Sequence, residues 1–207
     1  MKNHKILFIS TFLFGLLIQG CGTEKQLKTS SPKAIGESAS ITTNDSNAKM
    51  APSKHALKSV SNQIGKILKL HIDELNAQEA VSFDKETHYC DISGVKNTEH
   101  HGDLQKIIMN KHYRTCKNTN HIQNGKIQIT YKELDENGQF PKSLDMTSTH
   151  EYKFNNLTLN KEIYIESKKI TYNNSGLVKS ISLKITGTVY NYTQKLQFKN
   201  YKHQFLF

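Results

Sequence analysis

The sequence predicts an α+β fold, mainly β, in which an N-terminal amphipathic helix precedes a curved antiparallel meander, either a half-barrel or a closed sheet. Three observations predict it. Residues 54–78 repeat apolar side chains at steps of three and four, residues beyond 80 alternate apolar with polar in short β-branched and aromatic runs, and clusters of Asn, Gly, Asp and Ser separate those runs.

The helix comes first in chain order. Ser53, just after Pro52, is a capping residue ahead of good helix formers. Leu57, Val60, Ile64, Leu68, His71 or Ile72, and Leu75 form one stripe, with Lys58, Lys66, Lys69 and Glu74 mainly off it. Such a stripe is expected to pack on the sheet, and the competing reading lays it on a membrane or a partner.

Candidate strands follow at 87–93, 106–116, 126–133, 147–154, 157–167, 169–172, 177–190 and 194–207. In Lys126-Ile127-Gln128-Ile129-Thr130-Tyr131, and again over 181–189, every second residue is apolar, as a strand with one wet face requires. Gln123-Asn124-Gly125, Glu136-Asn137-Gly138 and Asn173-Asn174-Ser175-Gly176 are expected turns, since each tolerates positive φ. Connections this short, with no helix between strands, predict antiparallel pairing. Tyr201, His203, Phe205 and Phe207 alternate, as expected of a closing strand whose apolar face enters the core.

The first twenty residues read as a signal peptide. Lys2 and Lys5 give a positive start, and the apolar run from Ile6 to Ile18 is too short for a spanning helix, which needs roughly 20 residues. Ile18-Gln19-Gly20-Cys21 resembles the lipobox of bacterial lipoproteins, which implies cleavage after Gly20 and lipid on Cys21. The competing reading is an ordinary signal peptide whose following cysteine joins a disulfide. Cys21, Cys90 and Cys116 are the only cysteines, and lipidation of the first accounts for the odd total. The other two are then expected to pair in an oxidising compartment, a cross-link worth roughly 3–4 kcal/mol on chain-entropy grounds.

Residues 21–53, rich in Ser, Thr, Lys, Ala, Asn and Glu without apolar periodicity, are expected to form a disordered tether, leaving 54–207 as the folded domain. As a flexible coil, such a tether spans about 30 Å. Removing Lys2 and Lys5 with the signal takes the formal charge from +10 to +8. Arg114 is the only arginine, which disfavours specific nucleic-acid recognition because lysine lacks the bidentate fork. The expected partners are the membrane, through lipid on Cys21, and an envelope protein or an anionic surface polymer.

Catalytic and cofactor chemistry finds little to build on. No Gly-x-Ser-x-Gly elbow and no phosphate-cradling glycine loop occurs, and Glu133, Asp135 and Glu136 fall in an expected hairpin tip. The chain is therefore expected to be neither an enzyme nor a holder of a cofactor. Five of the ten histidines, His88, His100, His101, His112 and His121, lie near Cys90 and Cys116. Their spacings match no zinc pattern, so no metal site is expected. His100, His101 and His112 are the residues to watch, with His100-His101-Gly102-Asp103 the segment most worth testing.

Tyr89-Cys90-Asp91-Ile92-Ser93-Gly94, Cys116, Asn124-Gly125-Lys126-Ile127 and Phe154-Asn155-Asn156-Leu157-Thr158-Leu159-Asn160 together resemble a group of bacterial lipoproteins of unknown function. The resemblance covers residues 88–190, implies an antiparallel β-rich domain with the Cys90–Cys116 disulfide, and implies no activity. The helical start and the histidine content depart from it.

The expected function is thus a non-enzymatic envelope lipoprotein, acting as a binding or assembly module. Gly22 after the lipidated cysteine favours the outer membrane over the inner, by resemblance to enterobacterial sorting. The alternative is a carrier of lipid or another amphiphile in a cavity between sheet and helix. A hydrolase would need a polar cleft for which the sequence gives no sign.

Overall fold

The computed structural model describes residues 39–42, 53–78, 83–192 and 194–207. The expected signal peptide, Cys21 and most of the expected tether lie outside the described residues. The elements in order are β1 (Ala39–Thr42), α1 (Lys54–Asn76), β2 (Lys85–Tyr89), β3 (Ser93–Asp103), β4 (Lys106–Lys117), β5 (Ile122–Lys132), β6 (Ser143–Thr147), β7 (Tyr152–Phe154), β8 (Leu157–Leu159), β9 (Tyr164–Tyr172), β10 (Val178–Asn191) and β11 (Gln194–Leu206). Among the described residues the fold is mainly β with one helix, as expected. One expectation fails for four residues: Ala39–Thr42, assigned to the coil, pair antiparallel with β11.

Helix α1 starts where capping chemistry puts it. Ser53 has extended backbone, and its hydroxyl accepts the Ala56 amide at 3.1 Å, satisfying one of the donors that a helix start leaves open. The stripe of Leu57, Val60, Ile64, Leu68, Ile72 and Leu75 is buried along its whole length, joined by Ile67 and His71. Gly65 lets the helix come close to β11: a methyl group there would stand 2.8 Å from the Phe205 ring.

Every strand pairing is antiparallel, and the path runs β1-β11-β10-β8-β7-β5-β4-β3-β2. Strands β6 and β9 lie off that path, β6 against β5 and β9, β9 against β10. The pairings of β5, β6, β9, β10, β8 and β7 therefore close into a six-stranded ring. The register explains the ring. Tyr152↔Leu159 in β7–β8 and Met146↔Ile165 in β6–β9 belong to one continuous hairpin register, interrupted between Thr147 and Tyr152 on one side and between Leu159 and Tyr164 on the other.

Two glycines line that interruption. Gly125 in β5 (φ 102°) brings its backbone so close to residue 151 that a Cβ would lie 1.9 Å from the Glu151 carbonyl oxygen, and Gly187 in β10 (φ 121°) stands likewise against Ile163. Gln123-Asn124-Gly125, expected as a turn, is thus the interior of β5, opposite a register shift between Tyr113 and Cys116 in β4. Positive φ at glycine serves a bulge as readily as a turn, so the local sequence is the same for both. The chain turns earlier, where the Asn118 amide donates to the His121 carbonyl at 2.9 Å. The other two expected turns form, with Gly138 and Gly176 at positive φ.

The core lies on the concave face. Inward side chains of β4 to β11, among them Ile107, Ile129, Tyr131, Met146, Leu159, Ile165, Ile185, Val189, Leu196 and Phe198, meet the buried stripe of α1. The expected disulfide is present: Cys90, in the β2–β3 turn, bonds Cys116 near the end of β4, across a Cα separation of 5.5 Å. It fastens the outermost hairpin to the body of the sheet.

Candidate functional site

The C-terminal half of α1 breaks the apolar pattern of the interface. His71 and Glu74, three residues apart and therefore neighbours on the helix surface, face β4, whose inward residues run Ile107, Met109, Lys111, Tyr113. Lys111 is a cation on the apolar side of a strand, with its side chain 2 % exposed. It donates to Glu74 Oε2, and its Nζ also lies 3.3 Å from His71 Nδ1. Glu74 Oε2 is 3.4 Å from the same histidine nitrogen, and Lys96 of β3 stands 3.7 Å from Glu74 Oε1.

The electrostatics follow from burial and neighbours. Burial is the largest influence on His71 and lowers it, the Lys111 ammonium lowers it further, and the Glu74 carboxylate recovers only part, leaving it near pH 4. His71 is neutral at pH 7. Because an ammonium only donates, Nδ1 accepts from Lys111 and Nε2 carries the proton. That Nε2 is buried with no hydrogen-bond partner among the described residues, as is the Tyr113 hydroxyl. Burial works to raise the Glu74 carboxyl, but Lys111, His71 and Lys96 outweigh it and hold Glu74 well below the usual carboxylate range. Burial lowers Lys111, and Glu74 opposes that.

The cluster opens on solvent where α1 ends and β2 continues. Among the described residues no helix beyond Asn76 covers this side of β2 and β3, and Glu86 and His88 of β2 and Lys96, Thr98 and His100 of β3 line a recess of about 630 Å³ together with Met109 and Lys111. A second recess of about 250 Å³ adjoins it, shares Glu74, His88 and Lys96, and is bounded by the disulfide and by His121. Cross-strand partners share a face, and the pairings Glu86↔Thr98 and His88↔Lys96 put these four side chains on one side. Glu86 and His88 are themselves paired at 2.8 Å.

The arrangement suits binding better than proton transfer. His71 is 0 % exposed and neutral, too enclosed to serve as a solvent-facing base, and Glu74 is held ionised, so it makes a poor acid. What the cluster offers is fixed charge at the floor of an open cleft.

The residues singled out from sequence divide between the two faces of the sheet. His100 lines the recess, while its neighbour His101, on the next residue of the strand, points to the convex side. His112, between inward Lys111 and Tyr113, also points outward, beside Arg114, Lys126 and His150 over a shallow convex groove. His100, His101 and His112 therefore do not converge. Among the described residues no group of three or more His, Cys, Asp or Glu could hold a metal ion. His100-His101-Gly102-Asp103 is the end of strand β3, paired with Lys106–Met109 of β4. The hairpin turn is Leu104-Gln105, closed by the Asp103 carboxylate, which accepts the Gln105 and Lys106 amides at 2.8 and 3.0 Å.

Glu74 and Lys111 were missed as functional residues, and Lys111 left a signal. A lysine at the apolar phase of Ile107-Met109-x-Tyr113 must be paired or lie at a cleft. No family model, no curated protein and no solved structure matches the chain.

Proposed function

We propose that this chain is a lipid-anchored, non-enzymatic binding module of the bacterial envelope, whose recess beside the end of α1 takes a ligand or a partner's side chain. The observation that supports the binding role is the Lys111–Glu74–His71 cluster, buried charge that opens on a polar cleft instead of being sealed by the core. The anchor rests on the signal-like start and on Ile18-Gln19-Gly20-Cys21. Carriage of an amphiphile draws less support, because the apolar part of the concave face is filled by α1's own side chains: Val60, Ile64, Ile67 and Leu68 are all 0 % exposed.

Two measurements test this. Cells fed labelled palmitate should incorporate it into the wild-type chain and not into Cys21→Ser. Cross-linking in intact cells should recover an envelope component with the wild type and much less of it with Lys96→Glu, which reverses charge at the recess. Absence of label from the wild type would remove the anchor, and equal recovery with Lys96→Glu would move binding away from the recess.

A further inference from the structure

We propose that a rim of hairpin tips at one end of the sheet docks on an anionic lipid bilayer, with Tyr89, Ile92, Ile122 and Tyr192 entering the interface and Arg114, Lys117 and Lys195 meeting its headgroups. The rim is separate from the recess beside α1, and its contact with lipid does not require acylation of Cys21.

Topology builds the rim. Successive antiparallel hairpins turn at alternate ends of a sheet, and the pairings Tyr89↔Val95, Lys117↔Ile122, Phe154↔Leu157 and Asn191↔Gln194 place four turns at the same end. Ser93↔Lys117, Gln123↔Phe154 and Asn191↔Leu157 set those turns side by side. Hydrogen bonds then lace each tip to the next. The Asp91 amide donates to the Asn118 side-chain oxygen at 3.0 Å, and the Thr119 amide donates to the Asp91 carboxylate at 3.5 Å. The Asn155 amide donates to the Ile122 carbonyl at 2.9 Å, while the Asn155 side chain accepts the Ile122 amide at 2.8 Å. The Tyr192 amide donates to the Asn156 carbonyl at 3.0 Å, and the Asn156 side chain donates to the Tyr192 hydroxyl. A rim held in this way is ordered before it meets anything, so docking costs little conformational entropy.

The tips leave large side chains in water. Tyr89 is 86 % exposed, Ile92 56 %, Ile122 45 % and Tyr192 73 %, so the core does not account for them. A bilayer interface suits this mixture. Isoleucine enters the acyl boundary, and tyrosine, apolar in its ring and polar at its hydroxyl, sits at headgroup level.

Charge selects both the end and the occupant. The opposite end also exposes apolar side chains, Leu104, Leu177 and Phe207. Its turns, however, carry Asp103, Glu133, Asp135 and Glu136 against Lys106 and Lys142, an acidic balance that anionic headgroups repel. At the rim the balance is reversed: Arg114, Lys117 and Lys195 stand with one carboxylate, Asp91, and Lys153 is offset by Glu151 at 2.8 Å. Among the described residues none of those three cations has an ion pair. Arg114 and Tyr89 both pair with Val95, so cation and ring lie on one face. A chain tethered through Cys21 can bring this end to its own membrane, since residues 22–38, ahead of Ala39, reach up to about 60 Å when extended.

The test is flotation of the full mature chain carrying Cys21→Ser, and hence unlipidated, with vesicles of phosphatidylcholine alone or of phosphatidylcholine mixed with phosphatidylglycerol. Saturable binding is expected to the anionic vesicles only, falling severalfold as salt is raised. Tyr89→Ser with Ile92→Ser should weaken it about tenfold, from the apolar surface no longer buried in lipid. Lys117→Glu should weaken it severalfold, and Leu104→Ser with Leu177→Ser, at the opposite end, should leave it unchanged. All of these side chains are exposed, so each variant should keep the wild-type circular dichroism spectrum. The chain contains no tryptophan, so Ile92→Trp supplies a single reporter whose emission should shift to the blue on anionic vesicles, while Leu104→Trp should not shift. Equal binding to both vesicle types, equal loss in the opposite-end variant, or no flotation overturns the proposal. Capture of protein in intact cells by a photo-cross-linker at Ile92, with the chain unbound by vesicles, overturns it as well and makes the rim a protein-binding surface. Because the chain tested carries no lipid, its result is independent of labelled palmitate reaching Cys21 and of binding at the recess.

Discussion

The two ends of α1 meet the same sheet in opposite ways. Over β10 and β11 the helix lies down with Val60, Ile64, Ile67 and Leu68 fully enclosed, and the polar contact there, His203 Nε2 to Asn62 Oδ1 at 3.0 Å, joins two neutral groups. Over β3 and β4 the helix presents His71 and Glu74 to lysines, and the contact stays open to water. A sealed apolar interface holds the helix in place. The open charged one costs stability, because taking an ion pair out of water is repaid only by good geometry. A protein that keeps such a pair at a cleft has given up stability at a position where charge can meet a ligand.

That contrast can be broken at either end. The largest effect is expected from Glu74→Leu, which strands the Lys111 ammonium in the interior at a cost of roughly 4 kcal/mol, read by urea denaturation. The double variant Glu74→Leu/Lys111→Met should regain most of that loss; if it does not, the pair supports the fold rather than the site. Leu68→Ala, at the sealed end, should cost about 3 kcal/mol through the cavity it leaves, equally at every pH from 5 to 8.

The open end should respond to acid. A free histidine takes up its proton near pH 6.5, but buried His71, faced by Lys111, Glu74 and Lys96, does so only near pH 4. Between those values the unfolded chain holds a proton that the folded chain lacks. The contribution is therefore intact above pH 6.5 and is lost progressively as pH falls toward 4, about 2 kcal/mol of it by pH 5. Stability measured against pH in wild type and His71→Asn should differ in slope over that window, and parallel curves would remove His71 as the cause. The smallest effect belongs to Ser53→Ala, about 1 kcal/mol from the lost cap, with the recess and its titration unchanged.

Much of the architecture was legible because its signals are local. The α1 stripe, the Ser53 cap and the alternation in β5 and β10 each reside within one element. Strand β3 escaped notice for a physical reason. Its inward positions are Lys96, Thr98 and His100, so the period of two is written in polar residues lining a cleft and not in apolar ones filling a core. No metal site was expected of the histidines near the cysteines, and the period of two shows where they go: adjacent strand residues face opposite sides, which separates His100 from His101. The site itself was half visible, in that Lys111 breaks an apolar phase within its own strand. Its counter-charge, Glu74, lies 37 residues away on the helix, a pairing that only the docking of α1 onto β4 creates.

Strand β2 ends the sheet, with β3 on one side and, among the described residues, no strand on the other. Its backbone amides and carbonyls along that border are a template on which another polypeptide could stack. Lys85, Glu86, Thr87 and His88 occupy four of its five positions, and a second copy laid alongside would have to desolvate two charges and two further polar groups. Crowded chains are thereby kept from zipping border to border into filaments, and exchanging Lys85 and Glu86 for valine is the change that would let fibres grow.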